Sequence, residues 1–253
     1  MLRPVIALES VTKTYFDGEG REIPAVADVT LTVADGELVA LIGTSGSGKT
    51  TLLKMINRLV TPTRGSVRVG GEDVAAADPI RLRRGIGYVV QSGGLLPHLT
   101  VAGNVGLLGP LEGQAPARVR ARVDELLARV HLPPETFRDR LPSSLSGGQR
   151  QRVGVARALF LDPPVVLLDE PFGALDPVTR RRVRDEFKEL RAALGKTAVL
   201  VTHDLAEAFD VADRVALIDD GRLLQVGTED ALRSRPADES VSRFLRAHFE
   251  GTS

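Results

Sequence analysis

Gly43-Thr44-Ser45-Gly46-Ser47-Gly48-Lys49-Thr50, followed by Thr51, has the spacing G-x-x-x-x-G-K-[ST]. Glycines at these intervals let successive backbone N–H groups turn inward around phosphate oxygens. A helix starting near Lys49 points the positive end of its dipole at the same place. Lys49 can reach the β- and γ-phosphates of a nucleotide, and the Thr50 hydroxyl suits the shell of Mg²⁺. Further on, Asp169 and Glu170 end the apolar run "PVVLLDEP". The end of a buried strand is where open α/β sheets bind ligands. There Asp169 would hold the metal shell and Glu170 would polarise an attacking water as general base. Each feature has a plainer explanation, an ordinary glycine-rich turn or a carboxylate pair capping the next helix. Their occurrence in one chain predicts a nucleoside triphosphatase site.

"LSGGQ", residues 145–149, is a second phosphate-like feature well downstream of the first. Locally, Ser146 reads as the N-cap of a helix beginning near Gln149. The same hydroxyl, the backbone N–H groups of Gly147 and Gly148 and the helix dipole also suit a phosphate. A capped helix end and a phosphate contact are compatible.

These residues need elements to position them. "PVIALESVTKTYF" and "AVADVTLTVADGELVALIG" mix β-branched residues, alternation and turn residues, which predicts strands at the N-terminal end. "VALIG" then runs into the glycine loop and "KTTLLKMINRL" follows as an apolar-periodic helix. Ala115 to Leu132 places Val119, Val123, Leu126, Leu127 and Val130 on one face of an Arg-rich amphipathic helix. From "PVVLLDEP" on, the strands "TAVLVTHD" and "RVALIDDG" alternate with the helices "TRRRVRDEFKELRAAL" and "LAEAFDVAD". Continuous apolar strands separated by helices predict a parallel sheet covered on both faces. The fold expected is α/β, a phosphate-loop core with an antiparallel N-terminal part. A helical subdomain, at about residues 93–160, is inserted in it, and the tail from Asp238 is a helix that frays.

Composition narrows the function. The 253 residues are 43% hydrophobic and 26% charged, with Lys+Arg 33 against Asp+Glu 33, so no basic footprint points to nucleic acid. The cluster "TRRRVR" reads as a solvated helix face. With Cys 0, disulfides and cysteine metal sites are excluded. No signal-peptide-like start appears, nor any apolar run near the ~18–20 residues a bilayer requires.

The ordered set "GTSGSGKTT", Gln91, "LSGGQ", "VVLLDEP", "GALD" and "VTHD" resembles the nucleotide-binding subunits of ABC transporters over nearly the whole chain. The resemblance implies ATP and Mg²⁺ as cofactors and a head-to-tail homodimer. In it, each ATP lies between one subunit's phosphate loop and the other's signature, so Ser146, Gly147, Gly148 and Gln149 would read the partner's γ-phosphate. Tyr15 is placed like the aromatic that stacks on adenine, although a tyrosine in an early strand is by itself plain packing. Gln91 resembles the residue that senses Mg²⁺ or the attacking water and links to the membrane partner. His203 resembles the switch histidine, and Asp176 the cross-dimer communication residue. His98, His131 and His248 match no motif position and read as solvated or packing residues.

A separate ATP-binding subunit with no membrane span favours an importer by family analogy. "LLKMINRLVTPTRGSVRVGGEDV", "IGYVVQSGGLLPHLTVAGNV" and "EPFGALDPVTRRRV" resemble the ATPases of uptake systems for glycine betaine, choline or carnitine. Expected partners are permease subunits contacting the region of Gln91 to Thr100 and an extracytoplasmic binding protein. The expected location is the cytoplasmic face of the membrane. Ser92 stands where many relatives have a second glutamine, and the sequence stops at Ser253 without the regulatory domain pair some relatives carry. The alternatives are an importer ATPase for another small solute, a non-transport ABC ATPase acting on ribosomes or DNA, and a purely regulatory ATP-binding module. The second usually carries two cassettes or a long coiled coil, and Glu170 and His203 speak against the third.

Overall fold

The computed structural model describes residues 4–173 and 175–250. Residues 1–3, Ala174 of "GALD" and the last tail residues, 251–253, lie outside these, as do the side chains of Ser92, His248, Phe249 and Glu250. The chain divides into two compact units, one of the chain up to Arg83 and from Thr197 on, the other of Arg84–Lys196.

The first unit opens with β1 (Pro4–Phe16) and β2 (Glu22–Ala34), an antiparallel pair with Leu8 opposite Leu31. Ile6 and Leu8 on one strand and Val29, Leu31 and Val33 on the other are buried. That is the period of two expected of a sheet with one covered face. β3 (Leu38–Ile42) follows, buried at every position, and then α1 (Lys49–Ile56). The hairpin β4 (Arg64–Val69) and β5 (Glu72–Asp73) completes a four-stranded antiparallel sheet in the order β2-β1-β4-β5. α2 (Pro79–Arg84) leads out of the unit.

In the second unit, β6 (Ile86–Val89) is followed by α3 (Val101–Val105), α4 (Leu108–Leu111), α5 (Pro116–Arg129), α6 (Pro134–Phe137) and α7 (Gly147–Ala158). β7 (Val165–Asp169) then pairs in parallel with β6, from Ile86 opposite Val165 to Val89 opposite Leu168. The predicted amphipathic helix is α5, and it buries Val123, Leu126 and Leu127. α8 (Pro177–Leu194) starts at the Asp176 cap with proline in its first turn and stops at Gly195, whose φ is 58°. Proline at the start and a left-handed glycine past the end are the favoured helix boundaries.

The chain then returns to the first unit with β8 (Thr197–Thr202), α9 (Leu205–Val211), β9 (Arg214–Asp219) and β10 (Arg222–Gly227). β3 pairs in parallel with both β8 and β9, and β10 joins β9 antiparallel. α10 (Glu229–Ser234) and α11 (Glu239–Glu250) end the described chain. The architecture is α/β as expected, with an antiparallel N-terminal sheet and parallel strands. A run of helices separates β6 from β7. The strands β4, β5, β6 and β10 and the helix α2 were not individually legible in the sequence.

Candidate functional site

In the first unit the loop after β3 is held from behind by backbone. A side chain at Gly43 would place its Cβ 2.0 Å from the Ile218 carbonyl oxygen. Gly48 has φ 96°, and a Cβ there would lie 2.3 Å from the Ala25 oxygen. Only glycine meets both demands, a left-handed φ and a close backbone approach. The Gly221 N–H also donates to the Ser47 carbonyl (3.2 Å).

Lys49, 6% exposed, folds its ammonium onto this loop. Its Nζ donates to the carbonyls of Gly43 (2.9 Å) and Thr44 (2.7 Å) and to Ser47 Oγ (3.3 Å). A lysine this buried needs such partners, because an unpaired buried charge is strongly unfavourable. Thr44, Ser45 and Gly46 are exposed, and Thr50 and Thr51 sit half-buried in the first turn of α1. Tyr15, near the end of β1, is 39% exposed, and the Lys13 ammonium lies 5.0 Å from its ring centroid. His203 is exposed immediately after β8, next to Asp204, whose carboxylate caps α9 through the Glu207 N–H.

In the second unit the ends of β6 and β7 bring three predicted residues together. Asp169, the last residue of β7, is 8% exposed. Its Oδ2 accepts from the Tyr88 hydroxyl at 3.2 Å. Burial, the Asp169 charge and this hydrogen bond all raise the pKa of the phenol well above its ordinary value. Glu170 adopts φ 47°, a left-handed conformation that is strained for a residue with a side chain. Its Oε2 accepts from Gln91 Nε2 at 3.1 Å. Tyr88, near the end of β6, and Gln91, in the 3₁₀ turn that follows it, therefore each hold one of the two carboxylates at the end of β7.

The LSGGQ segment forms a capping box. The Gln149 N–H donates to Ser146 Oγ (3.3 Å) and the Ser146 N–H to Gln149 Oε1 (2.9 Å). The helix starts at Gly147, slightly earlier than the sequence suggested. Ser146 is exposed, and Gly148 is packed so that a Cβ would sit 2.9 Å from Thr179 Cγ2 of α8. Asp176, exposed, caps α8 by accepting from the Thr179 N–H (3.0 Å), and the hydrogen bonds from Thr179 lower its pKa. His98 and His131 are exposed, His131 with its Nε2 3.9 Å from Glu189. Neither Tyr88 nor the α7 residue Arg157 stands at a motif position of the sequence. For Tyr88 the available signal was one hydroxyl in the otherwise apolar strand "IGYV". Arg157 donates to the carbonyls of Gly93 and Gly94, which no spacing rule announces.

No helix among the described residues is long and apolar enough to cross a membrane. Residues 26–173 match the family model described as "ABC transporter". The chain is 48% identical over 241 residues to the choline transport ATP-binding protein OpuBA of Bacillus subtilis (strain 168), covering 95% of this chain and 62% of that protein. It is also 48% identical over 221 residues to the glycine betaine uptake system ATP-binding protein YehX of Escherichia coli (strain K12), covering 87% and 71%. This chain thus spans about three-fifths of the length of several such curated relatives. Among solved structures, a dimeric ATP-binding cassette in a post-hydrolysis state, bound to ADP and Pi, superposes with a TM-score of 0.79 and 38% identity over 88% of this chain and 98% of that one. With the motifs in place on a matching fold, the chain belongs to the ABC transporter family.

Proposed function

We propose that this chain is the ATP-hydrolysing subunit of an importer for quaternary amines such as glycine betaine or choline. The observation that carries the proposal is the buried Lys49 ammonium, held at the loop carbonyls of Gly43 and Thr44, where it sits ready to take phosphate oxygens. The names of the relatives, choline transport and glycine betaine uptake, support the substrate class. Tyr15 would stack on the adenine. Residues 43–51 would bind the phosphates, and Glu170 would take the proton of the attacking water while Gln91 and His203 orient it and the γ-phosphate. The chain would act as one nucleotide-binding domain with the helices of residues 93–160 inserted in it.

The donors also suit a hard divalent cation. Mg²⁺ is usually bound through one or two carboxylates together with substrate phosphates. Thr50, Gln91 and Asp169 would hold it, and the hydrogen bond from Tyr88 to one Asp169 oxygen fixes the orientation of that carboxylate. When bound, the ion would neutralise charge on the phosphates. The dimeric neighbour supports a pair of cassettes; on our reading it would be head to tail, with Ser146–Gln149 facing the partner's ATP and Asp176 carrying the cross-dimer signal. Permease subunits would dock near residues 91–100 at the cytoplasmic face of the membrane, served by an extracytoplasmic binding protein.

The test is uptake. A strain lacking its own quaternary-amine import ATPase, given this gene with its neighbouring permease and binding-protein genes, should accumulate labelled glycine betaine or choline at high osmolarity. The same strain carrying Glu170→Gln should not, and the purified variant should hydrolyse ATP roughly 10²–10⁴ times more slowly than the parent. Normal ATP turnover by the parent without uptake would overturn the substrate assignment. Normal turnover by Glu170→Gln would overturn the catalytic one.

A further inference from the structure

Within the second unit, α7 grips the short 3₁₀ turn that carries Gln91. Arg157, in the last turn of α7, donates through Nη1 to the Gly94 carbonyl (2.8 Å) and through Nη2 to the Gly93 carbonyl (2.9 Å). Its burial disfavours the charged guanidinium, so the fork has little cheap alternative to these acceptors. Below the fork the backbones nearly touch. A Cβ at Gly154 would lie 3.1 Å from the Gly93 Cα, and one at Gly93 would lie 2.8 Å from the Arg150 carbonyl oxygen. Gly93 and Gly94 have φ of 76° and 52°. The turn therefore has no side chain to spare between itself and the helix. At its start, Gln91 donates to Glu170. At the other end of α7, Ser146 and Gln149 close the capping box.

We propose that Arg157 is a positioning residue that couples the two composite ATP sites of the dimer, by making the signature helix and the Gln91 turn move as one body. The inference rests on the reading that Ser146–Gln149 face the partner's nucleotide while Gln91 and Glu170 serve the chain's own. Docking of one end of α7 on the partner's ATP then fixes the turn at its other end, and so the amide that holds Glu170. The link is steric and bidentate. It needs both N–H groups of a planar guanidinium, which a lysine cannot reproduce.

The experiment uses Arg157→Met, which keeps length and loses the fork, and Arg157→Lys, which keeps the charge on a single nitrogen but loses the planar two-nitrogen fork. Three quantities are read: the Hill coefficient for ATP in hydrolysis, the affinity for the first ATP, and hydrogen exchange of residues 91–96 and 146–158 in a Glu170→Gln background with ATP. The parent should show a Hill coefficient approaching about 2 and ATP-dependent protection of both segments. In Arg157→Met the coefficient should fall to about 1, and residues 91–96 should lose their protection while 146–158 keep theirs. First-ATP affinity should change less than about twofold, and Arg157→Lys should fall between. A purely structural role would lower thermal stability and affinity together and leave the coefficient in place. If Arg157→Met does not fold by circular dichroism, Arg157→Lys decides: a reduced coefficient supports the coupling. An unchanged coefficient with protected 91–96 in a folded variant overturns it. Failure of Glu170→Gln to slow hydrolysis or to dimerise with ATP would instead strike the underlying reading and is visible before Arg157 is touched.

Discussion

Lys49 and Asp169 are both buried and both oriented by a neighbour, and this gives each a separate signature on substitution. Lys49→Ala removes the ammonium that donates to the loop carbonyls of Gly43 and Thr44. A hydrogen bond to a charged group is worth about 1.5–3 kcal/mol. ATP affinity should therefore fall roughly 10–100-fold with the fold retained, as equilibrium titration with a fluorescent nucleotide and circular dichroism would show. Tyr88→Phe removes one hydroxyl and leaves Asp169 Oδ2 without that donor. The Mg²⁺ concentration giving half-maximal MgATP binding should rise about 3–10-fold by calorimetry, a loss of about 1 kcal/mol. Binding of ATP without Mg²⁺ should be unchanged; a weaker metal-free affinity would show that Tyr88 acts on the nucleotide instead. The places of Lys49 after the glycine loop and of Asp169 and Glu170 at a strand end were legible in the sequence because local spacing sets them. Tyr88 was not, because its pairing with Asp169 depends on the register that sets Tyr88 opposite Leu167.

The elements carry the next layer of constraint. β3 and α1 were legible because a fully apolar strand, a glycine loop and a periodic helix follow one another without a break. β5, two residues long, and α2, with no buried residue, gave no periodic signal to find. The burial of the loop against β9 was equally hidden, since Gly43 meets Ile218 only in three dimensions. It predicts a contrast between two glycines of one motif. Gly43→Ala drives a Cβ to 2.0 Å from a carbonyl oxygen, so the backbone must move, at about 1–3 kcal/mol. Gly46→Ala meets no atom within 4 Å and carries only the strain of φ 83°, on the order of 1–2 kcal/mol. Thermal melts should show the larger fall for Gly43→Ala, by several degrees. Equal falls would mean that the β9 contact does not constrain the loop. At α7, Ser146→Ala removes the accepting half of the capping box and should cost about 1 kcal/mol of stability. A urea titration measures this directly.

For the whole molecule, the central claim is that LSGGQ belongs to the partner's ATP. The duplication that makes the sequence puzzling, two phosphate-binding devices in one chain, is then a division of labour between two copies. Two-tag heterodimers of two designs decide it. In the first, one chain carries Lys49→Ala and the other Ser146→Arg. In the second, one chain carries both substitutions and its partner is unchanged. Sites shared between chains leave one intact site in the first design and none in the second, so turnover and ATP occlusion should both be greater in the first. Both designs contain the same substitutions, and a general loss of stability cannot produce the ranking. Greater turnover or occlusion in the second design would contradict the account, because the unchanged chain would then hold a complete site of its own.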